Sequence, residues 1–262
     1  MNWTLTIKDL YLLTKMLGAK VLVGIPNPFL RHRAEDMEQE WEDTFKKLHK
    51  MELVDLVEGE LKFEEDFIQT LWVMAKSNMI TEILTDQSDQ SLFYFSEDKV
   101  VEVRKRDEEA YDLQSHPAPD WTWNQVIIPR MLTGVENIPV RQTKSLYLTP
   151  EEYNIYCATM KLENKDELAK RHALLVEEPI IKQLDMAIQR KIHTNRLMTF
   201  YRGDEQWRVE GMHLLTSPSA NWTLRMVQKD GNEVLEAKQS QGQALMDEIL
   251  GVVQRVKVKQ PS

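Results

Sequence analysis

The chain has 262 residues, 42% hydrophobic and 29% charged, with 33 Lys and Arg against 42 Asp and Glu for a formal charge of −9. That balance, with a mean hydropathy of −0.47, is the composition of a soluble globular protein with a sizeable core, and it excludes the collagen-like and disordered classes. A single cysteine, Cys157, excludes an internal disulfide or a multi-cysteine zinc site and points to a reducing compartment, while the net negative charge disfavours a general nucleic-acid binder.

The first residues, Met1 to Asp9, carry neither the basic leader nor the apolar stretch of a secretory signal, and no window approaches 18 uninterrupted apolar residues, so neither export by that route nor membrane insertion is expected. Trp3, Leu5 and Ile7 alternate with polar residues as a strand does. Thr6 and Asp9 then stand in the hydroxyl-x-x-acid relation that opens a helix. Arg33 to Lys50 predicts a helix with Met37, Trp41, Phe45 and Leu48 on one apolar face, and Phe63 to Ser77 another with Phe67, Leu71 and Met74. Strands are expected at Met79 to Thr85, Ser91 to Ser96 and Lys99 to Arg104, and a helix at Trp123 to Leu132, strained or shifted by Pro129.

The grammar then repeats. Leu146 to Leu148 is a short apolar run, Thr149 and Glu152 form a second capping pair, and Pro150 falls at the first helical position, where its missing N–H costs nothing. Helices are expected at Asn164 to Val176 and Pro179 to Ile192, with Leu184, Ile188 and Ile192 in register. Strands follow at Arg196 to Tyr201, Trp207 to Thr216, Asn221 to Val227 and Glu233 to Ala237, the last two joined by a hairpin turn at Asp230-Gly231, before a closing helix over Gln243 to Val256. The expected fold is therefore α+β, a central antiparallel sheet flanked by helices. It would be built from two similar halves, 1–143 and 144–262, related by pseudo-two-fold symmetry within one compact domain and linked by Gly134 to Thr143.

Acidity belongs to the first half, which holds 26 acids against 16 bases; residues 35–66 alone carry 13 acids and 4 bases. Such a run is a solvated face or a surface that attracts a basic partner. Catalytic signatures are missing: no glycine-rich nucleotide loop, no Gly-x-Ser-x-Gly elbow, and six histidines without zinc-ligand spacing. Cys157, inside the helix after Thr149, reads as a small buried hydrophobe. Trp41, Trp72, Trp207 and Trp222 read as core, whereas Trp121 and Trp123, following Pro117 and Pro119, are candidates for partial exposure. No catalytic residue, metal site or cofactor is expected.

The capped first helix, the acidic helix ending Trp41, Phe45, Leu48, the stretch Leu53-Val54-Asp55-Leu56-Val57-Glu58-Gly59-Glu60-Leu61, the helix Phe67 to Ala75, the meander, and the repetition of the whole together resemble the EspG family of type VII (ESX) secretion chaperones and the EsaE proteins. The resemblance implies a cytoplasmic, non-enzymatic chaperone that binds a helical secreted protein, WXG100-like or LXG-type, before it reaches the export ATPase, a second expected partner. It also implies substrate contacts at an early inter-strand loop and a C-terminal helical bundle. Carried onto this sequence, these are Asp86, Gln87, Ser88, Asp89 and Gln90, and, within Lys165 to Ile192, Arg171, Leu174, Leu175, Lys182 and Met186. The loop here is shorter than the family's. A different binding class, an immunity or antitoxin protein neutralising a cognate toxin, shares the acidity and the missing catalytic motifs. An enzyme would need a deep pocket around a perturbed acid such as Asp86 or Asp89.

Overall fold

A computed structural model describes residues 2–30, 34–85, 89–141, 143–159, 161–162, 165–172, 178–203 and 206–258. The fold is α+β, with antiparallel sheet flanked by helices, as the sequence leads one to expect. Two compact units divide the chain: 1–82 with 90–123, and 83–89 with 124–262.

The first unit begins with β1 (Asn2–Thr6), whose Trp3 and Leu5 point inward. The capping pair then turns the chain into α1 (Ile7–Met16): the Asp9 N–H donates to Thr6 Oγ1 at 3.1 Å and the Thr6 N–H to Asp9 Oδ2 at 3.0 Å. Asp9 is buried and also accepts from Thr44 and Lys47 of α2 (Ala34–Lys50), so one carboxylate caps α1 and ties α2 to it. Burial raises the Asp9 carboxyl, but the lysine, the threonines and the cap amide outweigh it and hold it below its ordinary value.

A small hairpin follows, β2 (Val54–Val57) and β3 (Glu60–Phe63), and then α3 (Glu65–Lys76). Phe63 thus belongs to a strand, and Glu64 caps α3 by accepting from the Asp66 and Phe67 amides. Phe67, Leu71 and Met74 face the core as expected; Trp72 does not. One residue beyond Leu71 it sits about 100° further round the helix, is 53% exposed, and carries the Lys76 ammonium 5.0 Å from its ring centre.

A meander completes the unit: β4 (Met79–Thr85), β5 (Gln90–Phe95), β6 (Val100–Lys105) and β7 (Ala110–His116). The strand order is β1-β7-β6-β5-β4. Three of these four strands are expected from the sequence, and β7 is the fourth. Tyr111 and Leu113 do alternate inward, but the remaining positions of Ala110 to His116 are mostly polar. Trp123, one of the two tryptophans expected to be partly exposed, is buried and stacked on Phe95; Trp121, within the short α4 (Pro119–Thr122), is exposed.

Pro129 acts as expected, through a specific geometry. The helix predicted over 123–132 becomes a five-residue π-helical turn, Trp123–Ile127, followed by α5 (Ile128–Met131). Widening the coil one turn earlier accommodates a ring that would clash with an α-helical carbonyl four residues back.

In the second unit β8 (Leu146–Leu148) leads into α6 (Pro150–Thr159) through the second capping box: the Thr149 N–H donates to Glu152 Oε2 at 2.7 Å and the Glu152 N–H to Thr149 Oγ1 at 3.2 Å. Next are α7 (Lys165–Arg171) and α8 (Pro179–Gln189). Helix α8 stops before Ile192, which is 45% exposed rather than in register with Leu184 and Ile188. The cause is the neighbouring ladder: the Ile192 N–H donates to the Thr216 carbonyl at 2.7 Å, pulling the chain into strand. The second meander is β9 (His193–Gly203), β10 (Gln206–Thr216), β11 (Asn221–Lys229) and β12 (Asn232–Gln239), in the order β9-β10-β11-β12-β8, closed by α9 (Gly242–Val258). The β11–β12 turn has Asp230 and Gly231 at φ 51° and 79°, with Lys229 opposite Asn232, the geometry expected of the Asp-Gly pair. Trp222 is fully buried in the core formed by β8, α6, α7, α8 and the last three meander strands.

In each unit, then, a short first strand runs through a capping box into a helix and pairs antiparallel with the last strand of a four-stranded meander, β1 with β7 and β8 with β12.

Candidate functional site

The residues expected to contact a partner fall at two places. At the β4–β5 turn, Asp86, Gln87 and Ser88 lie outside the described residues. Asp89 is exposed and its carbonyl accepts from the Thr85 N–H at 3.3 Å, closing the turn. Gln90 is half-buried, its side-chain amide donating to Glu82 at 2.6 Å. The turn therefore presents Asp89 to solvent while Gln90 is held at its base.

The other place is α7 and α8. Leu174 and Leu175 lie outside the described residues, as does the side chain of Cys157. Arg171, at the end of α7, directs its guanidinium inward: two N–H groups reach the two oxygens of Glu152 at 2.9 Å each, and one also donates to the Tyr147 carbonyl at 2.9 Å. The next residue, His172, accepts the Tyr147 N–H on Nε2 at 2.9 Å and stacks on the Tyr147 ring, whose centre lies 3.5 Å from the Lys229 ammonium. This knot of five side chains was not anticipated from the sequence beyond its capping pair. Burial raises the Glu152 carboxyl, but the Arg171 fork and the Thr149 cap outweigh it, so it titrates below its ordinary range. His172 is pushed down, first by burial and then by the nearby Lys229 and Arg171 charges.

Helix α8 is amphipathic. Ile180, Ile181, Leu184, Ala187 and Ile188 are buried, and Asp185 between them ties the helix to α7 through Lys165. Lys182 and Met186, four residues apart, share the outward face; Met186 is 43% exposed. The structure thus brings Lys182 and Met186 together as a surface pair, and sets Arg171 into a fold contact.

No cluster of three or more His, Cys, Asp or Glu that could hold a metal occurs among the described residues. An open pocket of about 450 Å³ is lined by Asn137, Thr143, Lys238, Ser240, Gln243 and their neighbours, without a carboxylate or histidine. Asp89, exposed on its turn, is not in it. No helix among the described residues is long and apolar enough to cross a membrane.

No family model matches the sequence, and no curated protein matches it. Among solved structures, the chain is similar over its whole length to the Mycobacterium tuberculosis type VII secretion system chaperone EspG5, determined in complex with a PE25–PPE41 dimer. The TM-score is 0.65 at 10% sequence identity, covering 100% of this chain and 99% of that one. At that identity the likeness is one of fold: this chain is built on the EspG5 architecture from end to end.

Proposed function

We propose that this chain is a type VII secretion chaperone, a cytoplasmic adaptor without enzymatic activity or cofactor that holds a helical export substrate before secretion. The observation that carries the reading is the end-to-end likeness to EspG5, a chaperone whose structure was determined with two bound protein partners. In this reading the substrate is a WXG100-like or LXG-type helical protein. Its proposed contacts are Asp86, Gln87, Ser88, Asp89 and Gln90, together with Arg171, Leu174, Leu175, Lys182 and Met186. The outward Lys182 and Met186 pair is the kind of apolar anchor with a polar rim that seats a partner helix. The export ATPase is the second proposed partner. The recurrent strand order supports an origin in two halves, 1–143 and 144–262, related by pseudo-two-fold symmetry.

The test is co-expression with a helical WXG100-like or LXG-type protein followed by size-exclusion chromatography. A stoichiometric complex that keeps the substrate soluble supports the reading. No complex with either type, or tight inhibition of a toxin without any effect on substrate solubility or export, would replace it with the immunity class.

A further inference from the structure

Strands β2 and β3 form a two-stranded antiparallel sheet with no third strand among the described residues. Their turn, Glu58-Gly59 at φ 53° and 86°, has the mirror-image geometry that follows strand twist. Every residue from Asp55 to Lys62 is exposed. A lone hairpin gains stability by hiding one face, and here only the base of that face is hidden. Val54 is buried, while Leu56 and its cross-strand partner Leu61 are 57% and 40% exposed. Val54, Leu56, Leu61 and Phe63 share one side of the hairpin, so an apolar stripe runs from the core into solvent. Around it stand Glu52, Asp55, Glu58 and Glu60 against the single Lys62. Glu52, Glu58 and Glu60 form no ion pair among the described residues.

We infer that the tip of this hairpin docks a short segment of another protein that is apolar along one side and basic along its flanks. The leucine pair supplies the apolar contact, the unpaired carboxylates select for cations, and the open strand edges offer backbone groups to an extended segment. The same charge repels an anionic membrane surface and a second copy of the hairpin. This surface goes beyond the helical-substrate reading and does not rest on it.

The full chain, titrated with a fluorescent peptide of alternating Leu and Lys, is expected to bind it and to ignore the Leu and Glu counterpart. Affinity should fall at least about tenfold in the double variant Leu56→Ser, Leu61→Ser, as two half-exposed leucines warrant. It should also fall in Glu58→Lys, Glu60→Lys, which alters only exposed residues and keeps the test readable should the leucines matter for folding. Wild-type affinity in either variant overturns the inference, as does equal binding of both peptides. Self-association or flotation with anionic vesicles that the leucine variant abolishes would overturn it in favour of a second copy or a membrane.

Discussion

Glu152→Gln removes a charge from the knot that joins α6, α7 and β8 while preserving its shape. In the wild type Oε2 accepts the Thr149 amide at 2.7 Å and one arm of Arg171 at 2.9 Å, and Oε1 accepts the other arm at 2.9 Å. A glutamine keeps one oxygen for the cap but sets its amide N–H groups against the second arm of the guanidinium, donor facing donor. A hydrogen bond to a charged group contributes about 1.5–3 kcal/mol. The Arg171 side chain is 33% exposed and can turn to water, so the expected loss is about 1–2 kcal/mol. Glu152→Ala also forfeits the cap and should lose about 1 kcal/mol more. Urea denaturation at pH 7 reads both. The acid limb gives a second check. The folded Glu152 titrates below its ordinary 4.5, so the unfolded chain takes up the proton first. Its contribution is complete above about pH 4.5 and is lost as pH falls through the lower folded value. The gap between wild type and Glu152→Gln should therefore narrow below pH 4.5. Equal stability at pH 7, or a gap that stays constant into acid, would refute the assignment of the Arg171 fork as a net contributor.

His172 is held neutral, so the protein should lose stability as pH falls below 6.5, where the unfolded chain binds the proton first; His172→Gln, which can still accept the Tyr147 amide, should flatten that decline in denaturation curves between pH 7.5 and 5.5. Gly134→Ala places a Cβ 2.0 Å from the His193 ring at φ 71° and should destabilise by roughly 2 kcal/mol or more, read as a lower urea midpoint with unchanged slope. Lys182→Glu with Met186→Glu alters only the outward face of α8; it should leave the melting temperature within a few degrees of wild type while weakening capture of a helical substrate at least about tenfold, and full retention of binding would remove that face from the proposed interface.

Local physics made much of this fold legible in the sequence. The two capping boxes are where Thr6 with Asp9 and Thr149 with Glu152 placed them, and the Asp230-Gly231 turn takes the backbone that pair of residues favours. Strand β4 has the expected ends, since its apolar run is bounded in sequence by Ser77-Asn78 and by the polar residues after Thr85. What escaped depended on partners distant in sequence. Strand β7 reads as half polar because its polar side chains find partners distant in sequence, Asp112 on Thr4 of β1 and His116 on Glu102 of β6, while both strands pair with its backbone. Helix α8 gave up its last turn to the ladder at Thr216. Trp72 carries a core residue's chemistry on a helix whose inward face Phe67, Thr70, Leu71 and Met74 had already filled. At the candidate site, the outward pairing of Lys182 and Met186 follows from helical spacing alone. The inward engagement of Arg171 does not, because Glu152 lies 19 residues away and the fork forms only once α7 folds back on β8.

Strand β8 is three residues long, and its middle residue has its backbone N–H and C=O stoppered by His172 and Arg171 rather than by another strand. A sheet whose margin is sealed by side chains cannot serve as a template for chain-to-chain polymerisation. The seal is conditional, however, because it needs the lone pair of a neutral imidazole. Protonating His172 withdraws one of the two stoppers and leaves a bare amide at the rim, so acid strong enough to charge this lowered imidazole should favour strand-to-strand association at this margin.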